Sequence, residues 1–347
     1  MEKENSPEYV KTSLAAAMSL GLEKGSFADG VCLTGLNLLL TYQNGCAGRC
    51  AYCGVTQASK SCATSKKTFI RVKWPVYSID TILERLKNSP NSFERICISM
   101  VTHGRAFEDT VWLTEKINSC SGLPISLLIA PTVIKKKEYI EQFKKAGAQM
   151  IGVAIDGATQ QIFERYRGNG VIGPHKWDKY WEVLQYSIDV FGKYMAGVHL
   201  ICGLGETEEE MVQTIYRAHS MGAKTHLFSF YPEANTALSE KNPPPLLSYR
   251  KIQIARYLIN EKQWGINKFV FDKSGRLVKF EDDISFLLSD GAAFMTSGCP
   301  CRNSSLAACN RPFANERPSE VFRNYPHLPG EEEKLRIRQQ IESLLPR

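Results

Sequence analysis

Cys46, Cys50 and Cys53 stand in the run GCAGRCAYC at spacings of four and three, with Gly45 and Gly48 in the same loop and Tyr52 before the last cysteine. Thiolates are soft ligands, which select zinc or iron-sulfur over magnesium or calcium. A structural zinc site takes four ligands, usually as two pairs, whereas this loop offers three with no fourth cysteine or histidine nearby in matching register. Three cysteines on a cubane of four irons leave one iron open. An open iron can chelate a substrate, which makes the arrangement catalytic rather than structural. The bland alternative is three unrelated cysteines in a loop. Their place directly after an apolar run, where strand-helix barrels keep their active sites, argues against it.

The chain has eleven cysteines, an odd number, in 347 residues. A secreted disulfide framework pairs an even set in a short chain behind a signal peptide, but this sequence opens with the acidic MEKENSPEYVK. A reducing, cytoplasmic setting is the expectation, where clustered cysteines more often hold a metal. Cys32, Cys62, Cys120 and Cys202 are expected to be buried and inert. No apolar run reaches the roughly twenty residues needed to span a bilayer, so no membrane association is expected. Lys plus Arg exceeds Asp plus Glu by 43 to 36, a net charge of +7 that favours an acidic partner. The basic residues are dispersed, with runs only at 66–67 and 135–137, so no nucleic-acid stripe is expected.

The elements that would position the thiols are legible as short apolar runs at 37–42, 96–101, 125–130, 150–155, 197–202 and 225–230. Helical periodicity and end signals mark 79–86, 137–145, 176–191 and 207–220 between them. Six strands alternating with helices imply an α/β fold, a (β/α)6 partial to full TIM-type barrel or an open doubly wound sheet. Ligands then bind at the carboxyl ends of the strands. Ahead of this core, 1–34 is expected to be a helical leader, its helix capped by Ser6 with Pro7 in the first turn and ended at Gly25. Beyond it, Asn242-Pro-Pro-Pro is a rigid connector, 248–262 an amphipathic helix and 268–280 a hairpin around Lys273-Ser-Gly. The expected organisation is a leader (1–34), a barrel core (35–240), a helix and hairpin completing the barrel (241–290) and a cysteine-bearing tail with a charged final helix (291–347).

The CxxxCxxC spacing with an aromatic residue before its last cysteine resembles the signature of the radical S-adenosylmethionine (SAM) superfamily, and the strand-helix alternation is similar to its barrel. The resemblance implies that Cys46, Cys50 and Cys53 hold a 4Fe-4S cluster. Its open iron would chelate SAM and reduce it to a 5'-deoxyadenosyl radical, with Tyr52 near the adenine. Three further strand ends resemble family features. Thr102-His103-Gly104 would meet the methionyl amino group through backbone contacts. Asp156 in DGAT would accept from ribose hydroxyls, or alternatively cap the helix beginning near Thr159. Gly203 and Gly205 in GLGET would let the backbone approach the ligand and offer free N–H groups. Arg165 and Arg167 could reach the SAM carboxylate or form surface salt bridges.

Within the superfamily the chain resembles the biotin-synthase-like branch, and most narrowly the biotin-synthase-like subunit of the two-protein, archaeal-type lipoyl synthase. The matching stretches are TYQNGCAGRCAYC, FIRVKWPVY (69–77), RAFEDT (105–110), Cys299-Pro-Cys301 and Cys309-Asn-Arg-Pro. This resemblance implies a second, auxiliary iron-sulfur cluster that donates sulfur, with Cys299, Cys301 and Cys309 as candidate ligands and Cys97 as fourth or replacement. In the family the tail reads CPxCNRP, whereas RNSSLAA here separates Cys301 from Cys309. A zinc knuckle in the tail is the alternative. The implied function is a sulfurtransferase inserting sulfur into a protein-bound octanoyl chain. Its partners would be a lipoyl domain or glycine-cleavage H protein, a second radical SAM subunit and an electron donor such as ferredoxin. Two other readings stay open: a biotin-synthase-like enzyme acting on a small metabolite, and a zinc-stabilised binding protein.

Overall fold

A computed structural model describes residues 4–27, 31–56, 68–69, 71–88, 93–304, 306–309, 311, 316 and 320–345. The six apolar runs are six parallel strands: β2 (Gly35–Leu40), β4 (Arg95–Ser99), β5 (Ile125–Ile129), β6 (Ala148–Asp156), β7 (Ala196–Cys202) and β8 (Lys224–Ser229), adjacent in that order. Two short strands, β1 (Tyr9–Thr12) and β3 (Val76–Ser78), extend the β2 side antiparallel. The eight-stranded sheet runs β3-β1-β2-β4-β5-β6-β7-β8 and stays open, a partial barrel.

The covering helices are α1 (Leu14–Ser19), α2 (Ile79–Lys87), α3 (Ala106–Cys120), α4 (Lys137–Lys145), α5 (Gln160–Tyr166), α6 (Trp177–Phe191), α7 (Glu208–Met221) and α8 (Leu246–Lys262). Side chains of one parity on each strand enter the layer between sheet and helices: Leu38, Ile96 and Ile98, Leu127, Val153, Val198 and Leu200 are all at most 1% exposed. The other parity faces the concave side, and that is where the chemistry lies. A separate two-stranded sheet, β9 (Phe269–Phe271) with β10 (Leu277–Phe280), forms the expected hairpin but does not join the barrel. The chain ends with α9 (Leu287–Asp290) and α10 (Glu331–Ile341).

The leader departs from expectation. Residues 9–12 form a strand rather than a helix, because Val10 and Thr12 alternate with Tyr9 and Lys11 and bury themselves against β2. The helix that follows is only six residues long and is capped by Ser13, whose side chain accepts from Ala16 N, not by Ser6. Helix α3 lacks a side-chain cap at Arg105, which explains why end signals do not reveal it.

The tail closes the amino-terminal end of the barrel. Arg95 Nε donates to Pro300 O at 2.6 Å, and Thr34 Oγ1 donates to Ala308 O at 3.2 Å. Gly35 permits this approach, since a Cβ there would sit 2.5 Å from Ala308 O. Ser297 Oγ accepts from Leu227 N at 2.8 Å and so occupies the outer edge of β8.

Candidate active site

The cysteine loop leaves the carboxyl end of β2 and is anchored on both sides. Ala47 N donates to Thr102 O after β4 (2.8 Å), and Ala51 N donates to Tyr166 O at the end of α5 (2.8 Å). Cys46 Sγ accepts from the backbone N–H groups of Gly48 and Thr102, both at 3.3 Å. All three thiols line a cavity of about 220 Å3 whose walls come from the concave face: Leu39, Met100, Leu128, Ala154, Ile201 and Phe228. Burial pushes the Cys50 and Cys53 thiols up, Cys50 despite the opposing Arg167 guanidinium. A buried thiol of this kind ionises only when a cation compensates it, which suits a metal ligand.

Asp156, the last residue of β6, adopts φ 64° and turns its carboxylate into the cavity wall. Its Oδ2 accepts from Tyr52 OH at 2.6 Å and from Arg167 Nη1 at 2.8 Å. Thr159, not Asp156, caps α5 through Ile162 N. Burial raises the Asp156 pKa, with Arg167 and Tyr52 opposing. Both terminal nitrogens of Arg167 are engaged, for Nη1 also donates to the carbonyls of Ala154 and Ile155, and Nη2 donates to Tyr180 OH at 3.1 Å, while the buried Nε has no partner among the described residues. Arg165 is exposed, 5.1 Å over the Tyr166 ring. At one end of the cavity Tyr52 and Ile201 pack on a small apolar cluster of Ile162, Leu204 and Phe230.

Most of the other anticipated positions lie outside the cavity wall. Thr102 lines it, whereas His103 stacks on Tyr42 with ring centroids 3.7 Å apart, and nothing lies within 4 Å of a Cβ built on Gly104. Gly203 and Gly205 take the positive φ values of 106° and 131° that glycine allows. The amides of the GLGET turn are not free: the Glu206 carboxylate accepts from Gly203 N (2.5 Å), Leu204 N (3.0 Å) and Gly205 N (3.0 Å).

A second thiol group lies deeper in the barrel. Cys97 of β4 faces a small cavity that Cys299 and Cys309 also border, with Ser126, His226 and Arg95. The intervening segment folds back on itself: Pro300 bridges Ala307, Cys301 N donates to Leu306 O (2.7 Å), and Ala308 N donates to Cys299 O (2.9 Å). The insertion therefore brings Cys299 beside Cys309 and leaves Cys301 away from the cavity. Burial pushes Cys299 up to about 11 and Cys309 up to about 12, each further raised by Cys97. The buried Arg95, which donates to Ser126 Oγ at 3.1 Å, supplies a nearby positive charge. Among the described residues no three His, Cys, Asp or Glu side chains converge as the ligands of one metal ion must. Cys202 faces the helices, 4% exposed, while Cys32 and Cys120 are exposed, contrary to expectation; Cys62 falls outside the described residues.

Leu128, His199 and Arg311 border both cavities, so the two thiol groups lie on opposite sides of one shared wall. His199 and His226, stacked at 5.0 Å, went unnoticed in the sequence, as did His175, Arg95 and Arg311. The parity of GVHLIC and THLFSF would have found the first two, since each histidine shares a face with the cavity-lining Ile201 or Phe228.

Residues 40–218, more than half of the chain, match the family model described as the Radical SAM superfamily. No curated protein matches the chain. Among solved structures it is similar to HydG, a maturase of the FeFe-hydrogenase, with TM-score 0.52 and 12% identity over 72% of this chain and 54% of that one. Methylornithine synthase (PylB) gives TM-score 0.47 and 14% identity over 70% and 67% of the two chains. The radical S-adenosylmethionine methyltransferase TsrM from Kitasatospora setae gives 0.39 and 12% over 60% and 38%. The chain thus spans about half the length of HydG, and identities this low speak to fold alone. Among the described residues no helix is long and apolar enough to cross a membrane.

Proposed function

Because the chain belongs to the radical SAM superfamily, and so is an enzyme that uses a 4Fe-4S cluster and SAM, we propose that it is a sulfurtransferase inserting sulfur into a protein-bound octanoyl chain. It would act as one subunit of a two-protein lipoyl synthase, with a second radical SAM protein, an octanoyl-bearing lipoyl domain or H protein, and a reductant such as ferredoxin. When bound, cluster and SAM together supply a carbon radical strong enough to take hydrogen from an unactivated carbon.

The residues present fit that group. Cys46, Cys50 and Cys53 would hold the cluster, with the N–H groups of Gly48 and Thr102 stabilising the Cys46 thiolate. Tyr52, Ile201 and Phe230 would pack the adenine, and Asp156 Oδ1, which has no protein partner among the described residues, would accept from the ribose. Arg167 Nη1 holds Asp156 in place. The apolar wall of Leu39, Leu128, Ala154 and Phe228 excludes water and suits an alkyl chain. Cys97, Cys299 and Cys309 would hold the auxiliary cluster, whose negative charge Arg95 offsets.

The observation that carries the sulfur-transfer reading is the second thiol group set across a shared wall from the first. Anaerobic reconstitution should yield about seven to eight irons per chain, and about four after replacement of Cys97, Cys299 and Cys309. Octanoyl-carrier peptide incubated with both proteins, SAM and dithionite should gain sulfur by mass spectrometry. Deoxyadenosine without added sulfur would instead indicate a small-metabolite substrate, and colourless protein holding zinc would overturn the enzyme reading.

A further inference from the structure

His175 stands in the loop before α6 and is 2% exposed. Its two ring nitrogens are in opposite situations. Nδ1 lies 2.8 Å from the Tyr180 hydroxyl and 2.7 Å from the Thr132 hydroxyl. Nε2 is buried with no hydrogen-bond partner. Native folds rarely leave such a group unpaired, because it has given up water without replacement.

The direction of Nε2 identifies what it awaits. A Cβ on residue 48 would lie 3.0 Å from His175 Nε2 and 3.1 Å from Cys46 Sγ. Any side chain there would stand between the histidine and the first thiol of the cysteine loop; glycine leaves the lane open. Two hydroxyls, those of Tyr180 and Thr132, face Nδ1, and each can donate to it; Tyr180 OH also accepts from Arg167 Nη2. On this basis we assign Nδ1 as the acceptor and the ring proton to Nε2. Arg167 is in turn fixed by Asp156.

We propose that His175 is a positioning residue whose Nε2–H donates a hydrogen bond to sulfur at the Cys46 corner of the cluster, closing a relay Asp156–Arg167–Tyr180–His175 that couples the ribose-side carboxylate to the cluster. The inference rests on the cluster held by the cysteine loop and is independent of whether sulfur is transferred. A hydrogen bond to cluster sulfur disperses charge gained on reduction, so its donor raises the reduction potential.

The test uses reconstituted protein without SAM, so that only the cluster can accept the bond. Proton ENDOR on the reduced wild type should show a strongly coupled proton that exchanges in deuterium oxide. In His175→Phe that coupling should vanish and the midpoint potential should fall, making reduction at a fixed reductant about tenfold less favourable, with the iron count unchanged. Gly48→Ala, which blocks the lane and keeps the histidine, should shift the potential the same way. Unchanged potentials in both variants at full iron content would overturn the inference and leave the cluster assignment standing. A wild type that binds no iron at the cysteine loop would overturn both.

Discussion

At the scale of single residues, the site depends on buried charges that hold one another. Asp156 and Arg167 are both under 10% exposed and face each other across 2.8 Å. Removing one partner strands the other, so Asp156→Ala should cost about 3–5 kcal/mol of stability, read as a lower urea midpoint of the metal-free chain. A loss within about 0.5 kcal/mol, the range of ordinary surface changes, would mean that the pair is effectively solvated. Cys50→Ala should abolish SAM cleavage and remove about four irons; full iron content and retained cleavage would remove the cysteine loop from the mechanism. The thiols were legible because their spacing is local in sequence. The commitment of Arg167 was not, since its partners on β6 and α6 lie 11 to 13 residues away and meet it only through the turn into α5.

At the scale of elements, close approaches between distant segments decide what the thiols can do. Gly35 lets the tail backbone that carries Cys299 and Cys309 lie against β2, beside Cys97. Gly35→Val should lift that segment and lower the iron count from about eight to about four, while SAM cleavage by the first cluster persists. Full iron retention would show that the tail is held by other means. Helix α7 offers a control remote from the thiols: Thr207 and Glu210 form a reciprocal capping box, and Thr207→Ala should cost about 1 kcal/mol with no change in iron content. The helix and strand positions follow from apolar periodicity, and helix 137–145 agrees at both ends. The leader strand was hidden because four residues carry too little periodicity to compete with the Ser-Pro signal ahead of them. The Glu206 carboxylate occupying the amides of its own turn is likewise a matter of rotamer, which spacing cannot express.

At the scale of the molecule, the cysteine loop caps the carboxyl end of the barrel and the tail closes the amino end, with a buried interior between them. That interior is costly to protonate. Burial holds His226 down to about 4, first through desolvation and then through Arg256 and Lys224. An unfolded histidine takes a proton below about 6.5, whereas the folded one resists until about 4, so between those values the unfolded state binds more protons. Stability of the metal-free chain should therefore fall as pH drops from about 6.5 to 4, and His226→Phe should flatten that slope when urea midpoints are compared at pH 7 and 5. An equally steep slope in the variant would assign the loss to other groups. The amino-acid sequence by itself determined the alternation of strands and helices, the end of the sheet at which chemistry would sit, and the soft ligands placed there, because periodicity and ligand spacing are short-range properties. Only the tertiary structure decided that Cys299 rather than Cys301 joins Cys309 and Cys97, that Arg167 serves Asp156, and that His175 points an unpaired nitrogen at the cysteine loop. These are meetings of segments tens to hundreds of residues apart, governed by strand parity, chain reversal and the few glycines that let backbones touch.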